Sequence, residues 1–142
     1  MSALTATLRL VVDAGLGVWL GSMTFFSFVA APQVFETLER ETAGRVVNAI
    51  FPRYYVVGVG LGVVALVAAL ALVGVGQAGP AAAVLLGVTV LALVVTAYAR
   101  WSLIPRMERA GDDAFERYHR QSVVLNGVAM LAVAVALVAA HV

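Results

Sequence analysis

YYVVGVGLGVVALVAALALVGVGQAGPAAAVLLGVTVLALVVTAYA, residues 54–99, contains no charged side chain. A helix crosses the ~30 Å hydrocarbon core of a bilayer with about 20 apolar residues, so this run is too long for one span and long enough for two. It divides at Gly74-Val75-Gly76-Gln77-Ala78-Gly79-Pro80. Glycine and proline punctuate a tight turn there, and Pro80 suits a first helical position. Outward from this segment, Ala14–Phe35 and Gln121–Val142 are also free of charged side chains. The sequence therefore predicts an all-α fold, a four-transmembrane-helix bundle with spans at roughly 8–31, 54–75, 80–101 and 119–141 in a single domain.

Composition agrees. The chain is 63% apolar and 12% charged, with a mean hydropathy of +1.00. A soluble domain carries about 25% charged residues, and half of that leaves too little polar surface to face water on every side. There is no cysteine, which excludes disulfides, thiolate chemistry, iron–sulfur clusters and cysteine zinc sites. Val29-Ala30-Ala31 offers the small residues of a leader-peptidase site. The apolar stretch before it exceeds the 7–15 residues of a signal-peptide core, so the first span is expected to be retained.

The basic residues are nine Arg and no Lys. Arg40, Arg45 and Arg53 lie between the first two spans, and Arg100, Arg106, Arg109, Arg117 and Arg120 lie between the last two or at their adjoining ends. The other side has Arg9 alone. By the positive-inside rule both larger loops are cytoplasmic, and a multi-pass protein of the inner (plasma) membrane with both termini outside is expected. Between Val34 and Phe51 the apolar residues Leu38, Val46, Val47 and Ile50 keep helical spacing. Glu36/Arg40 and Glu41/Arg45 are i,i+4 pairs. This segment reads as an amphipathic helix on the cytoplasmic surface. Asp113 with Glu116 suits a capping box opening the fourth span, with Asp113/Arg117 and Glu116/Arg120 as supporting pairs.

Few residues have the character of a site. Asp13 is the lone carboxylate within a span, and intramembrane ionisable groups are functional candidates. Arg9 is one turn away on the same face, so Arg9 and Asp13 form an expected intramembrane ion pair, either structural or functional. Asp13, Gly17, Gly21 and Thr24 share one helix face, and Gly58 and Gly62 share another; small residues so spaced let helix backbones approach closely in lipid. His119, Ser122 and Asn126 are three and four residues apart, on one face of the fourth span. A buried amide in hydrocarbon must find a partner. Asn126 is therefore either interhelical glue or, with His119, Ser122 and Arg100, part of a ligand pocket ringed by Phe51, Tyr54, Tyr55 and Trp101. His119 and His141 belong to opposite sides, so no metal site is expected. No catalytic residues stand out, no cofactor is expected, and the arginines read as topological charge rather than a nucleic-acid surface.

Trp19-Leu20-Gly21, Phe25 to Phe28, Ala31-Pro32-x-x-Phe35, Ala43-Gly44 and Phe51-Pro52-x-Tyr54-Tyr55 occur in order. After Pro105 comes Phe115-x-x-x-His119-x-x-Ser122-x-x-x-Asn126. This pattern resembles the domain of unknown function 4149 family, relatives of the eukaryotic transmembrane protein 205, across nearly the whole chain. The resemblance implies a four-span membrane protein with no established activity. A more distant likeness, to the CopD and HemJ-type membrane proteins, suggests a heme-binding oxidoreductase as the alternative. Those proteins rely on membrane histidines, and the first three spans here have none. The leading expectation is a lipid-embedded protein that binds or moves a small molecule or supports a membrane partner. A conduction path through so small a bundle would call for a homo-oligomer. Reporter fusions after Arg45 and Arg109 should read as cytoplasmic and a fusion after Val142 as external; a cytoplasmic signal from the last would reverse the topology.

Overall fold

The computed structural model describes residues 1–142, with the side chains of all but residues 112 and 113. Four helices make up the protein: α1 (Ala3–Thr37), α2 (Arg40–Gly74), α3 (Ala82–Arg109) and α4 (Asp112–Ala139). Each contains a stretch long and apolar enough to cross a membrane, and the described residues form no strand. α1 packs on α2, α2 on α3, α3 on α4 and α4 back on α1, closing a ring. Both chain termini and the α2–α3 turn lie at one end. The arginine-rich connections lie at the other.

Local chemistry sets the ends. Ser2 caps α1, its Oγ accepting from the Thr5 N–H at 3.2 Å. α2 stops in a Schellman motif. Gln77 N donates to Leu72 O at 2.9 Å and Gly76 N to Val73 O at 3.0 Å. This motif requires a left-handed residue, and Gly76 supplies it at φ +71°. The expected turn at 74–80 is thus formed.

The segment expected to be one surface helix is helical but divided. Leu38 and Glu39 are extended, with ψ of 155° and 143°, so residues 34–37 complete α1 and residues 40–51 open α2. The break separates Glu36 from Arg40, and that ion pair does not form. Glu41 and Arg45 lie on one continuous helix and do pair, at 3.4 Å in the open. Glu116 and Arg120, both exposed, do not come within pairing distance. The readings that involve Asp113 fall outside the described residues.

The core follows a stripe of threes and fours on each helix: Val12, Leu16, Trp19 and Met23 on α1; Ala65, Ala68, Ala69 and Leu72 on α2; Leu85 and Ala92 on α3; Ala129, Ala132, Val133 and Ala136 on α4. Alanine dominates the inner stripes of α2 and α4, while Val64, Val94, Val124 and Leu131 point outward. With lipid outside, burial in the ring gains little hydrophobic energy, and close packing of small residues holds helices together instead. The buried Thr89 and Thr96 hydroxyls donate to Leu85 O and Ala92 O of their own helix, each at 2.7 Å.

Trp19 is the largest fully buried side chain, and it fits because α2 presents glycine to it. A Cβ on Gly58 would stand 2.6 Å from Trp19 Nε1; one on Gly62 would stand 2.5 Å from Trp19 Cζ3 and 2.6 Å from Leu93 Cδ2. The Gly58/Gly62 face is therefore a packing face. The expected face on α1 is not: a Cβ on Gly17 or Gly21 meets nothing within 4 Å, and Thr24 is exposed. Trp19 and its stripe take the inward direction, which turns those small residues away from the ring.

Two helices contain a π-turn. Ala31 N–H bonds to Phe26 O in α1, and Ile104 N–H to Ala99 O in α3, each five residues back. Pro32 and Pro105 follow directly. A proline inside an α-helix removes a donor and crowds the carbonyl four residues earlier; the wider turn relieves that crowding. α2 instead runs straight through Pro52, so the Asn48 carbonyl loses its regular donor. For the glycine cradle, Gly62→Ala should lose about 1–3 kcal/mol in reversible detergent unfolding, whereas Gly17→Ala should lose nothing. Equal stabilities for the two variants would show that Trp19 and Leu93 yield freely.

Candidate functional site

The arginine-rich end gathers the polar chemistry. The π-turn of α1 sets Phe26 and Ser27 against α2, where Phe51, Tyr54 and Tyr55 occupy just over one turn after the surface segment. Their rings interlock: Phe26 and Tyr54 centroids are 4.9 Å apart, Tyr54 and Tyr55 meet edge to face at 5.1 Å, and Phe51 stacks on Tyr55 at 5.8 Å. Such pairs contribute beyond their burial, and each tyrosine still has a hydroxyl to satisfy.

α4 answers both. Tyr54 Oη donates to Asn126 Oδ1 at 2.6 Å, and Asn126 Nδ2 donates to Ser27 Oγ at 3.0 Å. Tyr55 Oη and the buried Ser122 Oγ are 2.9 Å apart. One amide thus ties three helices together, and a second bond one turn nearer the arginine-rich end ties two of them again. Donor and acceptor of Asn126 are both engaged, as a buried amide in an apolar setting requires.

His119, Ser122 and Asn126 share a face of α4 as their spacing predicts, but they do not converge on one cavity. Ser122 and Asn126 are held by the tyrosines. His119, about a turn beyond Ser122, lies on the wall of a cavity of about 410 Å³ between the connection-side ends of α1, α2 and α4. Phe35, Arg40, Gly44 and Asn48 line its other sides, with Phe115 and Glu116. The His119 ring lies parallel to Phe115 at 6.2 Å, and its Nδ1 is buried without a partner among the described residues. A second cavity of about 270 Å³, reaching Met107 and Glu108 of α3, shares Asn48 and Phe115 with the first.

Arg100 is not on the wall of either cavity. It sits in the π-turn of α3 with Nε buried and without a partner among the described residues, its guanidinium 5.8 Å from the Trp101 ring. Trp101 faces outward, 57% exposed, so it does not belong to the aromatic ring expected around the pocket. Sequence reasoning missed Ser27, Arg40, Gly44 and Asn48. A lone serine within the aromatic run 25–28 and Pro32 five residues on were the signals for Ser27.

The ion pair expected between Arg9 and Asp13 does not form; Asp13 Oδ1 lies instead 3.1 Å from His141 Nε2. Closing the ring brings the end of α4 beside α1, and His141 reaches the carboxylate that Arg9, exposed on the same helix, leaves free. His119 and His141 are about 33 Å apart along α4 at 1.5 Å per residue. They cannot serve one heme, and nothing in the site favours the oxidoreductase alternative.

A ring of four helices long and apolar enough to cross a membrane, clamped by a tyrosine–asparagine–serine bond network, defines a multi-pass membrane protein. The chain belongs to the family described as Domain of unknown function (DUF4149), whose profile matches residues 14–116. The match takes in Ser27, Tyr54 and Tyr55 and stops short of His119, Ser122 and Asn126. An uncharacterized protein of Aquifex aeolicus is 31% identical over 116 residues, covering 78% of this chain and 80% of that one. No solved structure matches.

The clamp is directly measurable. In a double-mutant cycle, Tyr54→Phe and Asn126→Leu should show a coupling of about 0.6–1.7 kcal/mol, the range of side-chain hydrogen bonds between membrane helices. Additive losses would mean that the two groups act independently.

Proposed function

We propose that this protein binds a small amphipathic molecule at its arginine-rich end, and that this end faces the cytoplasm across the inner membrane. The observation that carries the reading is the cavity beside His119. It has about 410 Å³ of space, aromatic walls from Phe35 and Phe115, and a buried ring nitrogen without a partner among the described residues. Ligand sites are commonly apolar cavities of ~300–1,000 Å³ with a few polar groups fixing orientation. Arg40, Asn48 and His119 supply those groups, and the aromatic faces accept the apolar part. Eight of the nine arginines stand at this end, which supports this orientation, with both termini outside, by the positive-inside rule.

The clamp has a supporting part in this reading. Tyr54, Asn126 and Ser27 hold α1, α2 and α4 at fixed spacing just inside the membrane, so the ends beyond them form a preorganised wall. Binding, rather than conduction, is favoured because the ring below the clamp is packed solid by Leu16, Trp19, Ala92 and Val133, each at most 1% exposed.

Gly44 provides the test. A Cβ there meets nothing within 4 Å, so Gly44→Phe should fill the cavity without disturbing its neighbours. Native mass spectrometry of protein purified from its own membranes should reveal a co-purifying small molecule. Its occupancy should fall about tenfold or more in Gly44→Phe while the unfolding midpoint stays unchanged. A folded Gly44→Phe protein that retains the same molecule would sink the proposal.

A further inference from the structure

The opposite end of the ring holds a separate cavity of about 330 Å³, framed by the ends of all four helices. Its floor is the core itself, with Leu72, Leu85 and Ala69 at the bottom; its rim carries Arg9, Asp13, Gln77 and His141. The two formal charges at this end of α1, Arg9 and Asp13, are the informative pair. They are one turn apart, about 6 Å along the axis, yet they do not pair with each other. The Arg9 guanidinium has no hydrogen-bond or ionic partner among the described residues, and Asp13 is engaged through Oδ1 alone, by His141. Its side chain remains 39% exposed. An unpaired cation and a half-engaged carboxylate therefore stand side by side over an apolar floor.

This arrangement selects among ligands by charge. A simple amine attracted to Asp13 would meet Arg9, and a simple acid attracted to Arg9 would meet Asp13; like charges so close weaken binding. A molecule carrying both charges a few bonds apart satisfies both at once, and its apolar group can displace water from the alanine and leucine floor. We propose that this mouth binds a small zwitterion with an apolar side group, its ammonium on Asp13 and its acidic group on Arg9. Gln77, from the α2–α3 turn, adds an uncharged donor and acceptor at the rim. The site is independent of the cavity beside His119, at the other end of the ring. Two sources offer this chemistry: a free amino acid with an aliphatic side chain, and the ammonium–phosphate head of a phospholipid.

The experiment uses the full chain in nanodiscs of phosphatidylglycerol, which lack any zwitterion. L-leucine should bind saturably, whereas isoamylamine, which lacks the carboxylate, and 4-methylpentanoate, which lacks the ammonium, should bind about tenfold more weakly or worse. In nanodiscs of mixed phosphatidylglycerol and phosphatidylethanolamine, native mass spectrometry should report whether the ethanolamine lipid is retained preferentially. Leucine binding alone identifies a free zwitterion, lipid retention alone identifies the headgroup, and either supports the site. Arg9→Gln and Asp13→Asn should each weaken the bound species about tenfold or more at an unchanged unfolding midpoint. The proposal is overturned if neither zwitterion binds, if a singly charged analogue binds as well as leucine, or if both folded variants bind as the wild type does. The analogue comparison on the unaltered protein decides the matter should a variant fail to fold.

Discussion

The seating of Trp19 on two glycines is the constraint from which the rest of the arrangement follows. An indole placed between α1 and α2 would ordinarily wedge them apart. Gly58 and Gly62 remove the side chains it would strike, so the backbones close on it. Gly15 completes the approach from the other side, where a Cβ would meet Ala65 Cβ at 3.1 Å and Leu61 O at 3.2 Å. With that separation set, Tyr54 and Tyr55, which stand one turn before Gly58 and toward the arginine-rich end, come within hydrogen-bond reach of α4. The clamp at Asn126 thus depends on packing one to two turns away. In lipid, where apolar contact gives little preference for protein over solvent, such steric fit and a few hydrogen bonds carry the specificity.

The two ends of the ring are built differently. At the arginine-rich end the helices continue past the apolar spans, and their extensions, that of α4 included, enclose polar and aromatic cavities with amphipathic walls. At the terminal end there are no such extensions. The helices stop, and the space left over lies directly on the core. One molecule therefore presents two kinds of concavity, one walled by aromatic rings and one floored by alanine and leucine.

Much of this was legible in the sequence because it depends on quantities that sequence reports directly. Span number follows from the length of uncharged runs, the α2–α3 turn from Gly76 and Pro80, and the packing role of Gly58 and Gly62 from their spacing. The local spacing of His119, Ser122 and Asn126 was also readable. What those side chains touch was not, since Tyr54 and Ser27 are 72 and 99 residues from Asn126 in the chain. The same limit explains Asp13. Spacing along α1 pointed to Arg9, while ring closure delivered His141 from the far end of the chain. The division of the surface segment turned on two extended residues, Leu38 and Glu39, that interrupt an otherwise unbroken helical pattern. The outward course of Trp101 and the place of Arg100 depend on the π-turn before Pro105, which apolar periodicity does not register.

Each π-turn holds one residue more than the α-turn it replaces, and one residue is about 100° of rotation around a helix axis. Beyond Ala30 the surface of α1 is turned by that angle from where an uninterrupted helix would set it, so the inner stripe of Val12, Leu16, Trp19 and Met23 does not extrapolate to the segment carrying Phe35. The helix keeps two registers, one for the membrane and one for the cavity. In a loop, gaining or losing a single residue is silent. Here the same change within residues 26–30 would leave the core untouched and exchange the side chains on the cavity wall, so a relative could alter what it recognises by length rather than by substitution.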